Sequence, residues 1–224
     1  MKISIIIPAF NEEKTIEKVI GVVQNLPMEK EIIVVDDGST DRTREILAGM
    51  SSNVKIIYHE KNMGKGMAIR SAIPYLTGDV SIIQDADLEY DPKEYGEIIK
   101  PIIEGKTKVV YGSRFLKHNK AIYLRYYLGN KVVSALTSLL FCKRITDEYT
   151  CYKMLDTEVL KSFPLKSNGF EIEAELTVKL LRKRYRIYEV PISYNPRSLK
   201  EGKKISWRDA VKGIFTILKY RFVG

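Results

Sequence analysis

The segment EIIVVDDGSTDRTREILAGMSSNVKIIYHE, residues 31–60, contains one helix-like pattern between two strand-like patterns. Glu31–Asp37 and Val54–Glu60 are short runs rich in β-branched residues, and Asp41–Met50 between them is helix-like. Strands connected in this way form right-handed crossovers, which place them parallel in one sheet. This segment therefore predicts an α/β fold in which helices cover both faces of a mainly parallel sheet.

The same alternation continues on both sides of this segment. Strand patterns occur at Ile3–Ile7 and Asp79–Asp85, and helix patterns occur at about 12–24 and 64–76. The apolar start of the chain is too short for the core of a signal peptide, so we interpret it as the first strand. With 224 residues, 45% of them hydrophobic, the chain is long enough to bury the core of one domain.

Polar, glycine-rich or acidic segments follow the predicted strands: PAFNEE, DDGSTD, KNMGKG and DADLEYD. Ligands of such sheets bind beyond the carboxyl ends of the strands. Four segments of this kind at one sheet edge favour a nucleotide-binding site. Neither a GxGxxG motif nor a P-loop motif follows a strand, which argues against a dinucleotide-dependent dehydrogenase and against a P-loop NTPase.

The segment VSIIQDADLEYDP, residues 80–92, has a carboxylate at every second position after an apolar strand: Asp85, Asp87, Glu89 and Asp91. The first two, separated by the small residue Ala86, can both reach a hard divalent cation through oxygen. Such a cation would bridge a nucleotide diphosphate and neutralise its charge as it leaves. Asp91 differs, because an aspartate before Pro92 predicts the N-cap and first residue of a helix.

Positive charge is concentrated at the C-terminal end of the chain. Residues 1–178 carry 24 Lys or Arg and 25 Asp or Glu, a net charge of −1, whereas residues 179–224 carry 13 and 3, a net charge of +10. This asymmetry predicts an anionic partner, either nucleic acid, an acidic lipid surface or a phosphorylated substrate; a merely solvated surface is the alternative. No recognised nucleic-acid-binding motif accompanies it, and nucleic-acid binding would leave the acidic strand end unexplained. We therefore expect no nucleic-acid partner.

Two apolar segments of the second half suit packing or a membrane surface. Ile122–Phe141 is apolar almost all round, which is typical of a core or dimer-packing helix or of an interfacial helix on a bilayer. Trp207–Phe222 has the pattern of an amphipathic helix. The longest uncharged apolar run, Val132–Cys142, is shorter than the roughly 20 residues that a spanning helix needs. The two cysteines, Cys142 and Cys151, are too few for a disulfide framework, and we expect both to be buried thiols.

The motifs resemble, in order and spacing, those of the GT-A family 2 glycosyltransferases, specifically the branch containing dolichyl-phosphate mannose and glucose synthases. They are SIIIPAFNEEKTI, EIIVVDDGSTDRT, NMGKGMAIRSA and QDADLEYDP, followed by VVYGSRF, ITDEYTCYKML, GFEIEAEL and VPISYNPRSLKEGKKISW. The resemblance covers nearly the whole chain. It implies a single GT-A domain over residues 1–224 with a C-terminal helical and loop extension, in which residues 1–115 bind the nucleotide sugar and residues 116–224 bind the acceptor and face a membrane.

The resemblance also implies a donor site and a metal. The residues that it implies for the nucleotide sugar are Pro8, Phe10, Glu12, Asp37, Lys65, Asp85, Ala86 and Asp87. Those that it implies for a Mg²⁺ or Mn²⁺ ion are Asp85, Asp87 and Glu89. Phe10 stands where relatives often have tyrosine, and Glu89 stands where mannose-phosphate synthases often have glutamine. The implied donor is GDP-mannose or UDP-glucose.

The acceptor decides the mechanism. The implied catalytic residues are Asp87, Arg114, Asp147 and Arg197, and the implied ligands of an acceptor phosphate are Arg114, Arg125, Arg197, Lys203 and Lys204. A polyprenyl phosphate is ionised near neutral pH and needs no general base. A glycan or other hydroxyl acceptor needs a carboxylate base, for which Asp147 in ITDEYT is the candidate. A single displacement inverts the anomeric centre. With a lipid acceptor we expect a cytoplasmic protein bound peripherally to the anionic cytoplasmic membrane face.

Overall fold

The computed structural model describes residues 1–50, 53–119, 124–197 and 207–223, and of residues 124, 125 and 207 it describes the backbone only. Its strands are β1 (Ile3–Ala9), β2 (Lys30–Asp36), β3 (Val54–Tyr58), β4 (Val80–Ile83), β5 (Val109–Ser113), β6 (Lys153–Asp156) and β7 (Ile187–Pro191). Its helices are α1 (Ile16–Gln24), α2 (Thr43–Ala48), α3 (Lys65–Ala72), α4 (Tyr95–Ile103), α5 (Leu124–Phe141), α6 (Thr157–Lys161), α7 (Ile172–Arg182) and α8 (Trp207–Phe222).

The strands form one sheet in the order β3-β2-β1-β4-β6-β5-β7. β1 is parallel to β2 and β4, β2 is parallel to β3, and β5 is parallel to β7, whereas β6 is antiparallel to both of its neighbours. In the central strand β1, Ile5, Ile6 and Ile7 are fully buried, as expected for a strand covered on both faces. The predicted mainly parallel α/β sheet is therefore confirmed. Both parts of the chain contribute strands to it, and the functional division at residue 115 stays a prediction.

The chain between β1 and α1 turns along the sheet edge before the helix begins. The helix pattern predicted from about residue 12 starts only at Ile16, because the preceding turn packs against the segment after β4. The Thr15 hydroxyl lies 2.8 Å from the carbonyl oxygen of Ala86 and 3.0 Å from Oε2 of Glu12. This turn keeps the Glu12 carboxylate at the carboxyl ends of the strands.

The predicted helix start at Asp91 and Pro92 is confirmed. The Asp91 carboxylate accepts from the Lys93 N–H at 3.0 Å, and Pro92 begins a short 3₁₀ turn that leads into α4. Asp91 therefore acts as a cap, in contrast to the acidic residues that precede it.

Helices α5, α7 and α8 pack around a second, smaller hydrophobic core that includes Val133, Val178 and Ile217. The opposite side of α5 is solvent-exposed, with Leu139 76% exposed, so this helix combines a packing face with an open apolar face. Cys151 is buried as expected, but Cys142 is exposed at the end of α5, so that expectation was wrong for one thiol. Within the described ranges, no helix has the length and apolar character to span a membrane.

Candidate functional site

A cavity of about 610 Å³ opens at the carboxyl ends of β1, β2 and β4 and reaches helices α5, α7 and α8. All the residues implied for the nucleotide sugar line it: Pro8, Phe10, Glu12, Asp37, Lys65, Asp85, Ala86 and Asp87. Glu89, Arg114 and Arg197 also line it. Lys203, Lys204 and the side chain of Arg125 lie outside the described residues. The fold thus gathers these side chains around one cavity, and their binding roles stay predictions.

Two walls of the cavity differ in composition. We define the strand-end wall as Phe10, Glu12, Asp85, Ala86 and Asp87. We define the helix-side wall as Arg114, Phe115, Tyr126, Asn130 and Tyr149. Apart from the predicted Phe10, the aromatic lining was not predicted; it consists of Tyr90, Phe115, Tyr126, Tyr149, Phe170 and Tyr194. These rings come from separate segments, and no spacing in the sequence connects them.

Arg197 joins the carboxylates next to the strand ends. Its guanidinium lies 2.9 Å from Oε2 of Glu12 and 2.7 Å from Oδ2 of Asp87. Its backbone N–H donates to Oε1 of Glu89 at 2.7 Å, and Oε2 of Glu89 accepts from the Tyr194 hydroxyl at 2.7 Å. In this structure the arginine that the resemblance implied for the acceptor is therefore bound to acidic residues on the donor side.

Asp85 and Asp87 experience different charge environments. Oδ1 of Asp85 lies 2.7 Å from Nζ of Lys65, and although burial opposes ionisation, this ammonium holds the pKa of Asp85 below its usual value. For Asp87, burial and the charges of Asp85 and Glu89 outweigh the guanidinium of Arg197 and raise the pKa to about 7. Asp87 is therefore short of positive charge despite its contact with the arginine.

The two aspartates fit a divalent cation that completes its coordination elsewhere. They supply the hard oxygen donors that Mg²⁺ and Mn²⁺ prefer, and the raised pKa of Asp87 indicates a carboxylate that a further cation would stabilise. Among the residues that the structure describes, no group of three or more His, Cys, Asp or Glu is arranged to hold a metal. In this structure the oxygens of Glu89, the predicted third ligand, accept from the backbone N–H of Arg197 and from the Tyr194 hydroxyl. Binding of the metal by Glu89 stays a prediction.

The Asp37 carboxylate organises the loop after β3. Its Oδ1 accepts from the Met63 N–H at 2.9 Å and lies 2.7 Å from Nδ1 of His59, and its Oδ2 accepts from the Gly64 N–H at 2.8 Å. Gly64 has a φ of 98°, which residues with a Cβ rarely adopt. Asp37 therefore has an observed structural role at the cavity, and its implied contact with the nucleoside stays a prediction.

Arg114 and Asp147 form a buried ion pair at the helix-side wall. Nε and Nη2 of Arg114 each donate to the Asp147 carboxylate at 2.7 Å, and the Asn130 side chain donates to the same group. Asp147 is fully buried, and although burial opposes ionisation, Arg114 holds the pKa of Asp147 below its usual value. A carboxylate with a low pKa that accepts four hydrogen bonds is a poor general base. In this structure Asp147 holds Arg114, and its implied role as a base for a hydroxyl acceptor stays a prediction.

Comparison with known sequences gives similarities over nearly the whole chain. The family model described as Glycosyl transferase family 2 matches residues 4–163. The chain is 31% identical over 211 residues to the dolichol-phosphate mannosyltransferase of Pyrococcus furiosus, an alignment that covers 91% of this chain but only 59% of that protein. It is also 31% identical over 227 residues to the UDP-N-acetylglucosamine–dolichyl-phosphate N-acetylglucosaminyltransferase of Methanococcus voltae, covering 91% of this chain and 90% of that protein.

Solved structures share the architecture at lower sequence identity. One is glucosyl-3-phosphoglycerate synthase from Mycobacterium tuberculosis in complex with Mn²⁺, UDP-glucose and phosphoglyceric acid. The TM-score is 0.75 over 100% of this chain and 80% of that chain, with 23% sequence identity. At this identity the likeness shows the fold, and that fold is the GT-A fold that the motifs implied.

Proposed function

Because the chain belongs to glycosyl transferase family 2, we propose that it transfers a hexose from a nucleoside-diphosphate sugar to a polyprenyl phosphate of the dolichyl type. The proposed donor is GDP-mannose or UDP-glucose, the cation is Mg²⁺ or Mn²⁺, and the anomeric centre is inverted. The two relatives from Pyrococcus and Methanococcus are both named for dolichol or dolichyl phosphate, which supports a lipid phosphate as the acceptor.

One observation carries the choice of acceptor, namely the pairing of Asp147 with Arg114. A hydroxyl acceptor needs a base, and Asp147 is occupied by two guanidinium N–H groups at 2.7 Å. A phosphate monoester has a second pKa of about 6 and is already a nucleophilic anion near neutral pH. Such an acceptor needs a fixed positive charge, which Arg114 supplies at the surface of the cavity.

The residues of the site then have to position two anions and offset their repulsion. Asp85 and Asp87 would hold the cation, which neutralises the diphosphate as it leaves. Arg114, fixed by Asp147, would bind the acceptor phosphate. An oxygen of that phosphate forms the bond to the anomeric carbon while the bond to the donor diphosphate breaks, so no proton has to be removed from the acceptor.

Exposed apolar side chains on two neighbouring helices support peripheral binding at a membrane. We define the exposed apolar surface as Leu128, Val132 and Leu139 of α5 together with Val211, Phe215, Leu218 and Phe222 of α8. Their spacing places each set on one face of its helix, and the helices pack against each other around Val133 and Ile217. Tyr126 and Ala210, from the same two helices, line the cavity. A lipid phosphate held at this surface would therefore be next to the cavity.

Basic residues on α8 strengthen this part of the proposal. Lys212, Lys219 and Arg221 are exposed on α8, which carries four of the seven residues of the exposed apolar surface. Each basic residue near an anionic membrane contributes about 1 kcal/mol, and this contribution is screened by salt. We therefore propose reversible attachment to an anionic membrane, on its cytoplasmic face.

Transfer of radiolabel into a lipid tests the proposed function. The purified protein is incubated with Mn²⁺, a polyprenyl phosphate in anionic vesicles, and labelled GDP-mannose, UDP-glucose or UDP-N-acetylglucosamine. The matched control acceptor is the polyprenol of the same chain length, which lacks the phosphate. We expect label to enter the organic phase with the phosphate only, and to stay in the aqueous phase when EDTA is present.

Other outcomes correct separate parts of the proposal. Equal transfer to the polyprenol, or transfer to a water-soluble acceptor alone, contradicts the lipid-phosphate acceptor. Transfer that is undiminished in EDTA contradicts the cation, and transfer from UDP-N-acetylglucosamine alone contradicts the proposed sugar.

A further inference from the structure

Two glycines of the segment NMGKG allow the loop before α7 to contact the start of α3. A Cβ on Gly64 would lie 2.4 Å from the carbonyl oxygen of Asn168, and a Cβ on Gly66 would lie 2.5 Å from that of Ser167. No side chain fits at these distances, so the two backbones can meet only because both positions are glycine. The sequence predicted a ligand-binding loop here, and the structure shows that the glycines also dock the chain that leads into α7.

This backbone contact places Glu173 of α7 beside Lys65. Nζ of Lys65 lies 2.7 Å from Oδ1 of Asp85 and 3.1 Å from Oε1 of Glu173. The other oxygen of Glu173 lies 2.6 Å from Nζ of Lys153, which is fully buried and also donates to two backbone carbonyl groups. Charges of alternating sign thus run from Lys153 through Glu173 and Lys65 to Asp85.

The two lysines in this row of charges, Lys153 and Lys65, differ in their freedom to move. Lys153 is held by three acceptors in the core, so it fixes the Glu173 carboxylate. Lys65 faces the cavity with a carboxylate on either side. Oε1 of Glu173 is buried and makes no hydrogen bond, although it lies at ion-pair distance from Lys65. This oxygen therefore has the capacity to accept the ammonium fully.

We propose that Glu173 is a positioning residue of the donor site, which receives the Lys65 ammonium when Asp85 turns to a cation. Without this second carboxylate, the whole charge of Lys65 would act on Asp85 and oppose a cation there. The inference rests on the proposed function, since the cation and the nucleotide are those of the proposed transfer. Glu173 lies outside residues 4–163 that match the family model, and the resemblance did not imply it as a site residue.

Binding of nucleotide and cation to single and double variants tests this role. UDP and GDP, each with Mn²⁺, are titrated calorimetrically into the wild type, Glu173→Gln, Lys65→Met and the double variant. Free Mn²⁺ is titrated separately by electron paramagnetic resonance, so one measurement is independent of the nucleotide. We expect Glu173→Gln to weaken binding about tenfold, within the range for residues that orient a metal ligand. In the Lys65→Met background the same substitution is expected to have no further effect.

Glu175→Gln is the matched control, because Glu175 is also fully buried on α7. It accepts from the backbone N–H groups of Lys166 and Ser167 and pairs with Lys179, and it does not contact Lys65. We expect this variant to change the melting temperature without the tenfold loss of binding. If Glu173→Gln does not fold, Glu173→Asp takes its place in the same comparison. The aspartate keeps the buried negative charge but is too short to reach Lys65 as the glutamate does.

Three results overturn the inference in distinguishable ways. Equal losses of binding in the variants of Glu173 and Glu175, or a loss that persists in the Lys65→Met background, mean that Glu173 has only a structural role. Wild-type affinity in Glu173→Gln overturns the inference and leaves the proposed function intact. Failure of the wild type to bind either nucleotide with Mn²⁺ overturns the proposed function and the inference with it.

Discussion

The strand-end wall and the helix-side wall of the cavity hold their charges in opposite ways. On the strand-end wall, the pKa of Asp87 is raised to about 7 by burial and by neighbouring carboxylates, even though Arg197 contacts it. On the helix-side wall, Arg114 and Asp147 satisfy each other inside the protein, and the pKa of Asp147 is lowered. The first arrangement favours the arrival of a cation, and the second keeps a guanidinium in place for an anion.

This difference indicates how one small cavity can bring two anions together. In the proposed function, a donor diphosphate brings its positive charge with it as a cation, which suits the excess of negative charge on the strand-end wall. An acceptor phosphate would need a positive group that is already oriented, which suits Arg114 of the helix-side wall because Asp147 holds it in place. If this division is correct, substitutions on the two walls will affect different steps.

The largest effect is expected from Asp87→Asn on the strand-end wall. Transfer should fall at least about 100-fold, as is typical when a group that stabilises transition-state charge is removed. The melting temperature in EDTA at pH 8 should not fall, because the ionised Asp87 is unfavourable in the folded protein. Initial rates and thermal unfolding check both expectations. Normal turnover by this variant in EDTA would contradict the division between the walls.

Arg114→Lys on the helix-side wall should have the next largest effect. Lysine keeps the positive charge but cannot reproduce the paired contact with Asp147, so the charge is displaced from the acceptor. We expect transfer to polyprenyl phosphate to slow by about tenfold to 100-fold, with nucleotide affinity unchanged. Arg44→Lys is the control, since Arg44 pairs with Asp36 at 2.9 Å. A parallel loss of nucleotide affinity in Arg114→Lys would show that the walls do not act separately.

Substitutions on the exposed apolar surface should weaken membrane binding without destabilising the fold. Leu139 and Phe215 are 76% and 68% exposed, so the double change to glutamate should not lower the melting temperature. Burial of a large apolar side chain contributes about 1.5–3 kcal/mol, so we expect cosedimentation with anionic vesicles to weaken at least about tenfold. Ile103→Glu on α4, with Ile103 61% exposed, is the matched control. Equal weakening by the control would argue against a specific surface.

The smallest expected effect is on the pH dependence of stability. Asp87 and Glu148 are both buried with raised pKa values, and their contributions can be distinguished. Burial raises the pKa of Glu148 to about 8, and neither of its carboxylate oxygens has a hydrogen-bond partner. Raised pKa values mean that stability is greatest below the unfolded pKa values of about 4 and is lost as the pH rises through 7 for Asp87 and 8 for Glu148.

Thermal unfolding from pH 4 to pH 9 measures this loss. Glu148→Gln should raise the melting temperature at pH 9 by about 2–4 °C for each kcal/mol recovered. Mn²⁺ with nucleotide should restore stability at pH 8 in the Glu148→Gln variant but not in Asp87→Asn. Identical pH profiles for the wild type and both variants would contradict the raised pKa values.

The strand-end wall was open to prediction because its residues are neighbours in short motifs. Asp85 and Asp87 follow β4 directly, and parallel strands end at the same sheet edge, so local order was enough to bring them together. The helix-side wall was not predictable in the same way. Arg114 and Asp147 are separated by 33 positions, and a motif that contains an aspartate does not show whether its oxygens are free or bound to an arginine.

Periodicity of apolar residues and the location of polar segments after strands were sufficient for the α/β class, the cavity edge and the acidic strand end. Both patterns are short-range properties of the sequence. They depend on residue type and order, and not on exact atomic positions. The partners of Asp147, Glu89 and Lys65 depend instead on how distant segments pack. Ionic contacts form over about 3 Å, and burial alters their strength several-fold. Packing therefore determined which carboxylates were paired with a cationic side chain and which, such as Asp87 and Glu148, have raised pKa values.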